Sequence, residues 1–154
     1  MRRMFTKNQL DNEIKVVKKD ISTLVDKDGN NRFAEGNLTL NTITGATKIY
    51  GKWSLSGTHL LIVFALKLEN SISSQDLFYL DDLPDYIKDK IVPIAGNRIV
   101  QGSELAYDES ASSSVTFYYN FGKSSSHLFI EATCTIGDDT RFTRVNIDLL
   151  IDAD

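Results

Sequence analysis

The sequence has little cysteine and no long apolar run, and each absence excludes a class of protein. Its single cysteine, Cys134, can form no intrachain disulfide and leaves no thiolate cluster for zinc. The neighbouring Thr133, Thr135 and Ile136 indicate a strand, in which Cys134 is expected to be a small buried hydrophobe rather than a reactive thiol. The longest apolar run, residues 60–66, is about a third of the length of a membrane-spanning helix. Membrane insertion is therefore not expected.

A secretory signal is also missing, because no apolar segment follows Met1-Arg2-Arg3-Met4. This predicts synthesis in a reducing cytoplasm. The net charge of −4 is unevenly divided, since residues 1–28 have seven Lys and Arg against five Asp and Glu, which leaves about −6 on residues 29–154. Binding to a phosphate backbone depends on clustered Lys and Arg. Nucleic acid is therefore not an expected partner of the acidic part.

A helical apolar stripe near the N-terminus is the most regular pattern in the sequence. Thr6 and Gln9 fit a capping box at the helix start, and the segment 28–31, Asp-Gly-Asn-Asn, ends the helix. The stripe follows the four- and three-residue steps of a coiled-coil seam and consists of Leu10, Ile14, Val17, Ile21 and Leu24. Because β-structure follows, we predict that this stripe pairs with helices of other chains. The alternative is that it packs on its own domain.

The number of paired helices stays open at this point. Ile14 and Ile21 at the a positions, with Leu at d, favour two strands, whereas the β-branched Val17 at d argues against a pure dimer. Three heptads do not decide between a dimer and a trimer.

The remainder of the sequence has the alternating pattern of short strands. The predicted strands are 37–41, 48–55, 59–68, 98–100, 115–121, 128–136 and 141–151. Gly51 is expected to mark a bulge, and a short helix is expected within residues 82–91. Seven or eight strands without long helices indicate a mainly β fold, an antiparallel, jelly-roll-like β-sandwich. We thus expect a coiled-coil stalk in residues 1–28 and a β-sandwich head in residues 29–154.

One acidic cluster has the spacing of a metal loop. Asp26, Asp28 and Asn30 occupy alternate positions, as the first three ligands of a calcium loop do. The loop glycine and the terminal glutamate are replaced by Asn31 and Asn37, however. A turn that ends the helix is therefore the favoured interpretation, and no metal or other cofactor is expected.

Signatures of catalysis are weak. His59 and His127 follow turns and have no third metal ligand at a fixed spacing. The sequence contains no Gly-x-Ser-x-Gly elbow and no phosphate-binding glycine loop. A Ser-His-Asp triad is not excluded by counting residues, but the expectation is that the protein is not an enzyme.

Aromatic residues are the remaining candidates for ligand binding. In the strand 115–121, alternation sends Tyr118 to the opposite face from its aromatic neighbours. Tyr118, together with Tyr107 or Tyr50, would then offer a flat surface to a sugar or a protein. The alternative is that these tyrosines pack at sheet edges and subunit contacts.

Three stretches of the sequence resemble a known class of protein. They are 53–63 (Trp-Ser-Leu-Ser-Gly-Thr-His-Leu-Leu-Ile-Val), 83–87 (Leu-Pro-Asp-Tyr-Ile) and 90–93 (Lys-Ile-Val-Pro). They resemble the strand, proline turn and strand of small β-sandwich heads on bacteriophage fibres, and the similar organisation covers residues 6–152. The resemblance implies a virion structural protein in which an N-terminal coiled coil joins three chains below a jelly-roll-like head.

The expected function is therefore that of a homotrimeric phage head or tail fibre whose head binds a glycan or protein of the host surface. Because no long shaft or separate anchoring domain is visible, residues 1–9 are expected to bind a capsid or tail protein. The expected location is the virion, after synthesis in the host cytoplasm. Two alternatives stay open: a carbohydrate-binding or adhesin module of a bacterial cell, and a small hydrolase that uses His59 and His127.

Overall fold

Two helices and eight strands are present in a computed structural model that describes residues 6–75, 77–125 and 127–151, with the backbone alone for residues 19–23. The helices are α1 (Lys7–Leu24) and α2 (Asp85–Lys88). The strands are β1 (Phe33–Asn37), β2 (Ala46–Ser56), β3 (His59–Leu68), β4 (Leu77–Tyr79), β5 (Arg98–Asp108), β6 (Ser114–Ser124), β7 (His127–Thr133) and β8 (Arg141–Leu150).

All eight strands belong to one antiparallel sheet in the order β1-β2-β3-β8-β5-β6-β7-β4. The pairing of β5 with β8 is limited to two residues of each strand, Tyr107–Asp108 and Arg141–Phe142. The sheet therefore has two four-stranded halves that meet at one corner. Phe64 on β3 and Phe78 on β4 have ring centroids 6.5 Å apart, although five strand positions separate them in the sheet order. The sheet is thus curled so that its halves face each other.

The prediction of a mainly β, antiparallel fold is confirmed, whereas the expected division into two separate sheets is corrected to one curled sheet. The physical reason is β8, which pairs along its whole length with β3 and at its first two residues with β5. The order β8-β5-β6-β7 is one Greek key, while a jelly roll has two.

The core lies between the two halves of the sheet. Every second residue of β3 is fully buried, as expected of a strand with one face on a core: Leu60, Ile62, Phe64, Leu66 and Leu68. The other half contributes Phe78, Phe117, Phe121, Leu128 and Ile130. Ile87 of α2 is also buried, which confirms a short helix in residues 82–91. Cys134 is buried, as the sequence predicted.

Two strand predictions were wrong in extent. The strand expected at 98–100 continues to Asp108, because the ladder with β6 is maintained through Gly102 and Glu104 despite their interruption of the apolar pattern. The strand expected at 37–41 lies before that segment instead, as β1. Leu38 is still buried, but in the link that follows β1.

A β-bulge in β2 decides which side chains of this strand face outward. In the ladder with β3, Lys48 pairs with Leu66 and Tyr50 pairs with Ala65, so Ile49 is an extra residue. An extra residue reverses the alternation of the side chains that follow. Tyr50, which would otherwise continue the core-facing set, is therefore turned to the outer face of the sheet.

The bulge expected at Gly51 is thus corrected to a position two residues earlier. Gly51 is buried, and a Cβ atom added there would lie 2.9 Å from the carbonyl oxygen of Leu38. Its role is to let the link after β1 pass closely over β2.

Helix α1 begins with the predicted capping box. The amide of Thr6 donates to Oε1 of Gln9 at 2.8 Å, and the amide of Gln9 donates to Oγ1 of Thr6 at 3.2 Å. The stripe side chains Leu10, Ile14, Val17 and Leu24 are 43–54% exposed. Ile21 lies in the segment 19–23, outside the described side chains. The β-structure of the same chain thus leaves the four described stripe residues uncovered.

Candidate binding face on the outer surface of the sheet

The outer face of the half-sheet β1-β2-β3-β8 contains an aromatic ring beside two cations. Tyr50 pairs with Ala65, which in turn pairs with Arg144, so these three residues form one row across β2, β3 and β8. Cross-strand partners share a face of the sheet. The guanidinium carbon of Arg144 lies 5.9 Å from the Tyr50 ring centroid, and the Nζ atom of Lys52 lies 5.8 Å from it. Both distances are within the range of cation–π attraction.

A groove of about 560 Å³ lies next to this row, and we name it the Tyr50 groove. Its lining residues are Glu35, Gly36, Asn37, Tyr50, Lys52, Trp53, Ser54, Leu61 and Val63. Leu61 and Val63 are apolar side chains of β3, whereas Glu35, Asn37 and Ser54 place hydrogen-bonding groups on β1 and β2. The lining therefore combines apolar side chains with hydrogen-bonding groups, and both kinds of contact occur in ligand sites.

The only tryptophan of the sequence, Trp53, lies against the edge of this groove. Trp53 pairs with Gly36 on β1. A Cβ atom added to Gly36 would lie 2.6 Å from Nε1 of Trp53, so a glycine at this position lets the indole lie against the edge strand. Trp53 is 6% exposed and packs in the core directly behind the groove, where its fluorescence can report on changes in β2.

Two cations lie beside the Tyr50 ring: Lys52, which lines the groove, and Arg144, which lines the neighbouring depression. In the part of the chain that the structure describes, neither Lys52 nor Arg144 has a carboxylate within 4.0 Å. Glu35 supplies the acidic group of the lining, on the side formed by β1. Positive charge is thus concentrated around the Tyr50 ring.

Of the three tyrosines predicted for binding, the structure brings two to one surface. Tyr107 lines a second depression of about 520 Å³, which also includes Ile49, Ala65 and Arg144. Arg144 lines this depression and also lies near the Tyr50 ring, so it stands between the two sites on the same face of the sheet. Tyr118 is exposed on β6 in the other half and lines a separate depression of about 280 Å³.

The Asp26 cluster forms the predicted helix-ending turn. Its Oδ1 atom accepts hydrogen bonds from the amides of Asp28 and Asn30, both at 2.9 Å, and its Oδ2 atom accepts one from Nζ of Lys90 at 2.7 Å. The hydrogen bond from Lys90 is the largest cause that holds the pKa of Asp26 well below its usual range, and the amides of Asn30 and Asp28 add to it. Because Lys90 follows α2, this ion pair joins the end of α1 to the β-structure.

The two histidines are exposed, and each lies beside a different aspartate. Nδ1 of His127 lies 3.1 Å from Oδ1 of Asp81, and Nδ1 of His59 lies 3.7 Å from Oδ1 of Asp148. Among the described residues, neither histidine has a hydrogen bond to a serine hydroxyl. No group of three His, Cys, Asp or Glu in these residues is arranged to hold a metal ion.

Sequence reasoning missed the cations of the site. Alternation along β2 and β8 could have placed Lys52 and Arg144 on outer faces, but it does not say which strands are neighbours. Pairing of β3 with both β2 and β8 is what brings them to Tyr50.

None of the helices in the described residues is long and apolar enough to span a bilayer. A scan against protein-family models gives no match for the sequence, and a search of curated proteins gives none either.

Proposed function

We propose that the protein is a homotrimeric attachment protein, in which α1 joins three chains and the β-structure binds a glycan or protein on a host surface. The observation that carries this proposal is the exposed stripe of Leu10, Ile14, Val17 and Leu24. An isolated helix of 18 residues is marginally stable in water. Covering a half-exposed Leu or Ile side chain contributes roughly 1 kcal/mol. Pairing between chains therefore stabilises both the helix and the assembly.

The trimeric state and the viral origin rest on the resemblance to phage fibre heads. In this arrangement the two facing halves of the sheet serve as the layers of a sandwich-like head, and the helices form a coiled coil below it. The protein would be part of a phage head or tail fibre, with residues 1–9 bound to a capsid or tail protein. Its role is structural and does not involve catalysis.

The junction between helix and head supports a fixed polarity of this particle. Arg32 donates its amide to the carbonyl of Leu24 and its Nε to the carbonyl of Val25, both at 2.8 Å. The ion pair between Asp26 and Lys90 adds a second connection at the same place. A stiff junction keeps the binding face at a constant orientation to the stalk.

Light scattering on two matched variants tests the proposal. The wild-type protein should scatter with three times the 17.3 kDa mass of one chain at micromolar concentration. Ile14→Asp should lower this mass towards that of a monomer, because it places a charge in the helix seam. Val16→Asp is the control, since Val16 is also exposed but lies outside the stripe, and this variant should remain trimeric. A monomeric wild type, or equal masses for both variants, would contradict the proposal.

A further inference from the structure

We propose that the Tyr50 groove binds a saccharide that bears a negative charge, with a sugar ring on Tyr50 and the anionic group between Lys52 and Arg144. This inference rests on the proposed attachment function and names the class of its ligand. The anionic group is a carboxylate or a phosphate, and both are recognised by the same chemistry. Four features of the groove support it.

The first feature is an accessible aromatic face. The Tyr50 side chain is 40% exposed and lies on the outer face because of the bulge at Ile49. Tyrosine offers a large, rigid surface that loses little conformational entropy when it is covered. The C–H groups on one face of a pyranose ring pack well on such a surface.

The second feature is a pair of cations that are held near the ring before any ligand arrives. Arg144 reaches across Ala65, and Lys52 approaches Tyr50 along its own strand. Each cation lies about 6 Å from the ring centroid, so both are close enough to reach an anionic group beside Tyr50. A guanidinium group binds carboxylates and phosphates through two parallel hydrogen bonds.

The third feature is the unmatched charge of these cations. Neither Lys52 nor Arg144 forms an ion pair with the carboxylates of the described residues. Asp148 on β8 lies nearest to His59, with 3.7 Å between its Oδ1 atom and Nδ1 of the histidine. An incoming anion therefore does not have to displace a resident one.

The fourth feature is the polar rim that hydroxyl groups require. Glu35, Asn37 and Ser54 line the groove beside Tyr50 and offer both donors and acceptors. The volume of about 560 Å³ is within the range of roughly 300–1,000 Å³ that is usual for small-molecule sites. A single-stranded nucleic acid also combines rings with negative charge, but the acidic β-structure and Glu35 in the lining oppose a polyanion.

The test uses full-length protein and pairs of saccharides in which one member carries an anionic group that its partner lacks. Sialyllactose is compared with its methyl ester, mannose 6-phosphate with mannose, and a trigalacturonate with its methyl ester, on an array and then by fluorescence titration of Trp53. At least one charged member should bind ten-fold or more tightly than its neutral partner, and the carboxylate and phosphate pairs distinguish the two anions. This preference should shrink as NaCl is raised from 50 to 500 mM.

Three variants assign the binding to the groove. Tyr50→Ala should abolish binding. Arg144→Gln should lower the ratio of affinities for the charged and neutral saccharides at least ten-fold. Tyr118→Ala, in the other half of the sheet, should leave binding unchanged. Equal affinity for charged and neutral partners, or no binding to any saccharide of the array, overturns the inference.

Light scattering on the same samples separates these outcomes from the failure of the attachment proposal. If the wild type is trimeric but binds no charged saccharide, the ligand class is wrong while the assembly stands. If Tyr50→Ala dissociates the trimer, the groove is a contact between copies of the chain, and the inference is overturned. A monomeric wild type that still binds charged saccharides supports the groove and contradicts the trimer.

Discussion

Arg144 lies 5.9 Å from the ring centroid of Tyr50, although their strands are not neighbours in the sheet. Ala65 stands between them in the register, and its single methyl group leaves the guanidinium room to cross β3. The bulge at Ile49 supplies the second condition, since it turns Tyr50 to the outer face. The candidate site therefore depends on the small side chain of Ala65 and on the extra residue, Ile49, in β2.

Replacement of Ala65 tests this dependence. Ala65→Ile should separate Arg144 from Tyr50 and lower the affinity for a charged saccharide at least ten-fold. The free energy of unfolding should change by less than about 0.5 kcal/mol, because the position is on the outer face and β-branched residues suit strands. Ser103→Ile, on the outer face of β5, is the control and should alter neither quantity. An unchanged affinity in Ala65→Ile would show that the contact is not needed.

Acid should weaken the junction between α1 and the β-structure. The pKa of Asp26 is lower in the folded chain than its ordinary value of 3.8, with the hydrogen bond from Lys90 as the largest cause. The ionised carboxylate therefore stabilises the fold above about pH 4, and this contribution is lost as the pH falls through the folded pKa.

Urea unfolding of wild type and Asp26→Asn at several values between pH 6 and pH 3 measures this effect. Wild type should be more stable at pH 6, and the gap between the two urea midpoints should shrink below about pH 4. Lys90→Met should show a smaller dependence on pH, because it removes the main stabilising partner of the carboxylate. A gap that stays constant down to pH 3 would contradict this assignment.

Replacement by alanine should have different effects on stability at Gly122 and at Gly137. A Cβ atom at Gly122 would lie 2.5 Å from Cζ of Phe129 and 2.8 Å from the carbonyl oxygen of Asn97, whereas at Gly137 it would meet no atom within 4 Å. Gly122→Ala should lower the free energy of unfolding by about 1–3 kcal/mol. Gly137→Ala should be neutral or stabilise by up to about 1 kcal/mol, because it restricts the unfolded chain. Denaturant unfolding measures both, and equal effects would refute the packing argument.

The thiol of Cys134 should report on unfolding. It is 1% exposed, and burial raises its pKa. Since the thiolate is the reactive form, a thiol reagent at pH 8 should label the native protein at least 100-fold more slowly than the protein in urea. Labelling should follow the same urea transition as Trp53 fluorescence. Rapid labelling of the native state would mean that this part of the sheet opens locally.

Features that depend on neighbours along the chain could be predicted from the sequence. The capping box of Thr6 and Gln9, the Asp26 turn and the alternate burial along β3 each involve residues a few positions apart. The periodicities of helices and strands relate residues that are two to four positions apart. The sequence alone therefore predicted the mainly β fold and the apolar stripe of α1. The burial of Cys134 followed in the same way from the apolar strand around it.

The tertiary structure decided which strands are neighbours and which faces their side chains occupy. One bulge reversed the alternation at Tyr50, and the ladder β2-β3-β8 brought Lys52 and Arg144 to the same ring. The two-residue contact at the corner made one curled sheet instead of two, and Tyr118 fell on the other half. These outcomes depend on pairing between distant segments. A period of two residues fixes alternation within a strand, but it does not specify register between strands.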